Sequence, residues 1–157
     1  MAIIEKLETV APKPVSWVWG PVFSLIAGVG GVVWGWDYYY GTGLVIIDTD
    51  VLTAHMWGHA FFWTGLPIIA LTVAQLWWAK HHQVVPRMVL RGLIAAHFAA
   101  FLVCLWASVA LYIGVMEKHD GQRVLYACVA AVINHVFRMM ELPKDLVPPV
   151  RMPAWLR

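Results

Sequence analysis

Four long apolar runs, separated by short polar stretches, set the pattern of this chain. The first, Trp17 to Trp36, is twenty residues without a formal charge and has tryptophan at both ends. The second, Val51 to Ala79, runs for 29 uncharged residues, and the third, Gly92 to Met116, for 25. The fourth, Val124 to Phe137, is only fourteen residues long before Arg138 interrupts it. A bilayer core takes about 20 apolar helical residues to cross. The pattern therefore predicts an all-α integral membrane helical bundle of about four transmembrane helices, with spans near 17–36, 51–79, 92–116 and 124–141. The fourth reaches spanning length only if Arg138 and Glu141 snorkel or lie within protein; a half-helix or interfacial helix is the alternative. The tail 142–157 carries four prolines and reads as extended.

Within the spans, local signals add detail. Gly31 and Gly35 form a small-xxx-small pair that permits close helix contact. Pro67 removes a donor from the middle of the second span and predicts a bend there. The link Asp37 to Asp50 holds three acids, a tyrosine cluster and no lysine or arginine, and Asp50 is placed to cap the second helix. The basic turn 80–91 has three lysines or arginines, and the tail has three beyond Arg138. Positive charge favours the cytoplasmic side. Both termini and the 80–91 turn are thus expected in the cytoplasm, with the chain a multi-pass protein of the cell inner (plasma) membrane.

Composition agrees and adds exclusions. With 61% apolar and 13% charged residues, the chain departs from the near one-half and one-quarter of soluble domains. No polar interval is long enough for a second core, so residues 1–157 read as one membrane domain. A net charge of +2 without a basic cluster gives no footprint for nucleic acid. Cys104 and Cys128 sit inside apolar runs with no metal-binding spacing, where cysteine acts as a small buried apolar residue. The N-terminal residues mix acids and bases and lack the apolar core of a signal peptide, so they read as a retained tail.

Candidate chemistry lies with the histidines, because ionisable groups within a span are functional candidates. His55 and His59, one helical turn apart, share a face. Neutral imidazoles so spaced can chelate one metal ion, with Asp48 or Asp50 completing a site at the outer end. The plainer reading is a pair of interfacial histidines hydrogen-bonded to neighbouring helices. His97 and His135 fall on the third and fourth spans, where facing histidines can ligate haem b; otherwise they bridge helices as buried polar residues, as does Asn134. Counted from opposite faces, their depths are compatible but not well matched.

The run Asp48 to His55, DTDVLTAH, resembles the stretch before a membrane helix in the C subunit of copper membrane monooxygenases, roughly Asp-Thr-x-x-Thr-Pro-x-His. The run Trp57 to Phe61 has a similar flavour. The resemblance covers about ten of 157 residues and implies copper at His55. Thr42 and Tyr38 stand where that family's other two ligands would be. Three functions are expected on these grounds. The first is a small membrane subunit of a multi-subunit oxidoreductase, such as a copper-dependent hydrocarbon or ammonia monooxygenase, catalytic or accessory and packed among other membrane subunits and lipid. The second is a haem b anchor exchanging electrons with quinone, and the third is a structural subunit without cofactor.

Overall fold

The computed structural model describes residues 16–40, 54–82, 85–118 and 122–146. These form four helices: α1 (Ser16–Tyr40), α2 (Ala54–His82), α3 (Arg87–Lys118) and α4 (Gln122–Leu146). Among the described residues there is no strand. Each helix contains a stretch long and apolar enough to cross a membrane, including Val124–Pro143 of α4. The described residues form an all-helical, multi-pass membrane bundle.

Helix ends differ from the spans read off the sequence. Residues 37–40 continue α1 and residues 87–91 open α3, because charge and tyrosine mark the edge of an apolar run but do not stop a helix. Leu142 to Leu146, expected in the extended tail, belong to α4 with Pro143 inside it. Proline removes only the bond to the carbonyl four residues back, and fully buried Leu142 anchors this turn against Val85, Leu90 and Leu93. Pro67 lies on the exposed face of α2, which continues past it.

The helices pack in a ring. α1 and α2 share the most extensive contact, α3 and α4 the next, α2 and α3 less, and α1 and α4 the least. Buried residues recur at three- and four-residue steps. On α3 the stripe is Leu90, Leu93, His97, Ala100, Cys104, Ala107 and Leu111; on α2 it is Trp57, Phe61, Ile68, Thr72 and Gln75. That is the spacing of a packed helix seam. The opposite faces carry exposed apolar side chains such as Ile26, Trp63, Trp106 and Ile133, which suit lipid.

The α1–α2 seam is closed by glycine, as the Gly31/Gly35 spacing predicts. A Cβ at Gly35 would stand 2.5 Å from the Phe62 nitrogen, and one at Gly31 would stand 3.2 Å from the Gly65 Cα. On the other side of the seam, a Cβ at Gly65 would stand 2.6 Å from the Gly28 oxygen. Backbone thus meets backbone, the close approach that small residues permit in membranes. Gly30 is different: a Cβ there meets nothing within 4 Å.

Candidate functional site

The interior of the bundle holds a chain of polar side chains joining three helices. Ser24 on α1, His97 on α3, and His135 and Arg138 on α4 are all at most 3% exposed. Ser24 Oγ lies 3.0 Å from His97 Nε2, and His97 Nδ1 lies 2.9 Å from His135 Nδ1. Arg138 Nε donates to Ser24 Oγ at 2.9 Å. Its Nη1 pairs with Glu141 at 2.5 Å, one turn along the same helix. Gly20 leaves the room for this guanidinium: a Cβ at that position would collide with it.

One bond of the chain has a fixed direction: guanidinium only donates, so Ser24 Oγ accepts from Arg138. A hydroxyl oxygen has a second lone pair as well as its own hydrogen, so Ser24 meets either tautomer of His97. His97 and His135 share one hydrogen between their Nδ1 atoms, which leaves Nε2 as the free ring nitrogen of His135.

His135 lines a cavity of about 460 Å³ between the helices. The cavity occupies the loosest edge of the ring, between α1 and α4. Its floor is made of small residues (Gly30, Gly31, Gly65, Ala100, Ala127, Ala131) and its walls of Phe23, Ile26, Trp34, Phe61 and Ile68. Asn134, His135, Thr64 and the Trp34 indole are its hydrogen-bonding residues. Thr64 is turned back to its own helix, donating to the Ala60 carbonyl at 2.7 Å. Asn134 Nδ2 donates to the Phe23 carbonyl at 3.4 Å, which leaves its Oδ1 as an acceptor.

The bundle thus brings His97 and His135 together. Axial ligation of one haem iron would set their nitrogens on opposite sides of the metal, about 4 Å apart at about 2 Å per bond, with a macrocycle between them. The 2.9 Å contact closes that gap, so the pair as placed does not fit haem. The charged guanidinium nearby also argues against a second cation. Arg138 and Glu141 meet the fourth span's length requirement by pairing inside the protein, and Glu141 is not a solitary surface acid.

His55 and His59 lie on the exposed face of α2 near its start. They flank one ring: Tyr39 stands edge-on to His55 at 5.7 Å and to His59 at 5.1 Å. Asp48 and Asp50 lie outside the described residues. Among the described residues no group of three or more histidine, cysteine or acidic side chains is clustered for a metal. Asp37, buried at the end of α1, has one carboxylate oxygen without a hydrogen bond among those residues.

Two members of the polar chain escape sequence reasoning. Ser24 is the single serine of the first apolar run, Trp17 to Trp36, and such residues usually bond their own backbone. Arg138 is legible only as an interruption. The one signal it gives is that a cation inside a span demands a partner, and Glu141 stands three residues on. Comparison with family models, curated proteins and solved structures returned no match.

Proposed function

We propose that this protein is a small membrane subunit of a multi-subunit oxidoreductase in the cell's inner (plasma) membrane, and that it holds a lipophilic substrate or redox carrier in the cleft between α1 and α4. The observation that carries this reading is the buried hydrogen-bond series that ends on His135 at an apolar cavity. A purely structural subunit has no need of four buried polar side chains in line, each of which costs free energy to take from water. A cavity of this size falls within the usual range for small-molecule sites. An apolar wall with a few polar groups at one end suits a molecule that is mostly hydrocarbon.

A second reading keeps copper at the surface. Tyr39 holds His55 and His59 on one exposed face, ready to give two nitrogens to an ion. The remaining donors would come from Asp48, Asp50 or another membrane subunit, as in an accessory chain of a copper monooxygenase.

Purification of the native assembly in mild detergent tests both readings. The first predicts co-purifying redox subunits and a lipophilic compound recoverable by solvent extraction. The second predicts stoichiometric copper that is lost when His55 and His59 become alanine. Isolation as a metal-free, ligand-free homo-oligomer would overturn both.

A further inference from the structure

The cleft specifies more about its occupant than lipophilicity. Building on the reading of the cleft as a ligand site, we infer that it binds the head of a lipophilic quinone, with a ring oxygen hydrogen-bonded to His135 Nε2. Depth points this way first. His135 is eleven residues from Val124 and eight from Pro143, the ends of the α4 span, or about 17 Å and 12 Å at the helical rise. It therefore sits near the middle of the bilayer. Phospholipid headgroups lie at the surface, and a carboxylate or phosphate at mid-depth would be expensive. A polar end that belongs at this depth is small and neutral.

Hydrogen-bond type narrows the choice further. His135 Nδ1 is taken up by His97, so its Nε2 is the ring nitrogen left for a ligand, while Asn134 presents both an acceptor in Oδ1 and a donor in the second Nδ2–H beyond its bond to the Phe23 carbonyl. A plain hydrocarbon would leave both unsatisfied in a dry cavity. A quinone carbonyl satisfies the donor, and the hydroxyl of the reduced form satisfies the acceptor as well. Phe23, Trp34 and Phe61 supply ring faces for a planar head, and the gap between α1 and α4 lets an isoprenoid tail leave into lipid.

The test uses the full chain in lipid nanodiscs with decylubiquinone as probe, read by quenching of tryptophan fluorescence. Trp34→Phe identifies the cavity component of the signal. Saturable binding is expected, weakened about tenfold in His135→Phe by loss of one hydrogen bond. Gly30→Leu is the second variant. Open space surrounds Gly30, so the substitution leaves the polar series intact, and its side chain fills the cavity and abolishes binding with helical content unchanged. Decylubiquinone binding equally to wild type and to folded Gly30→Leu would overturn the assignment. No decylubiquinone binding, together with saturable uptake of labelled dodecane that Gly30→Leu removes, would overturn the quinone but keep the ligand site. If neither probe separates Gly30→Leu from wild type, the proposed function falls too.

Discussion

At the scale of single residues, the buried series behaves as one object. Ser24 is its joint, accepting from Arg138 and bonded to His97 Nε2. Ser24→Ala breaks both bonds and strands the buried Arg138 Nε–H and His97 Nε2, which costs about 1–3 kcal/mol; chemical unfolding in mixed micelles measures it. Arg138→Leu leaves Glu141 without its cation. Because Glu141 keeps about a third of its side-chain surface exposed, a loss of about 2–3 kcal/mol is expected, at or below the low end for a broken buried pair. Adding Glu141→Leu to Arg138→Leu recovers most of that loss in the same assay, since the cost comes from a stranded charge and not from a missing contact. A double variant no more stable than Arg138→Leu alone would contradict that origin.

At the scale of helices, glycine position matters more than glycine count. Gly30→Ala, where nothing stands within 4 Å of the new methyl, is expected to stabilise the fold by about 0.5–1 kcal/mol through reduced backbone freedom. Gly35→Ala pushes a methyl into the Phe62 backbone and is expected to cost about 1–3 kcal/mol. Thermal unfolding of the two single variants shows the opposite signs. The Gly31/Gly35 contact is legible in the sequence, and so is the number of helices. Which face of each helix turns inward is not, because lipid accepts the same residues as the interior. Ile26 and Val33 face outward as comfortably as Ile68 and Leu93 face inward. The depth of His97 is hidden as well. The apolar run begins at Gly92 but the helix begins at Arg87, five residues or about 7.5 Å earlier, and the shift brings His97 level with His135.

At the scale of the whole molecule, the start of α1 and the end of α4 lie on the same side, since Gly20 and Ser24 both meet Arg138. The lysine and arginine distribution predicts that this side faces the cytoplasm. Single-cysteine labelling with an impermeant maleimide checks it. Cys104 and Cys128 are buried, so the background is low. His81→Cys is expected to react from the cytoplasmic side, and His55→Cys from the opposite side. Exchange of the two results would invert the topology. The uneven ring has a further consequence. One pair of helices is fused along bare backbone while the first and last share the least contact, bridged mainly by Arg138 and Asn134, so a molecule reaching the cavity arrives sideways from the acyl chains. Occupancy then depends on moles of ligand per mole of lipid and not on concentration in the buffer. Diluting the vesicles with water leaves saturation unchanged, whereas adding empty lipid titrates the site down.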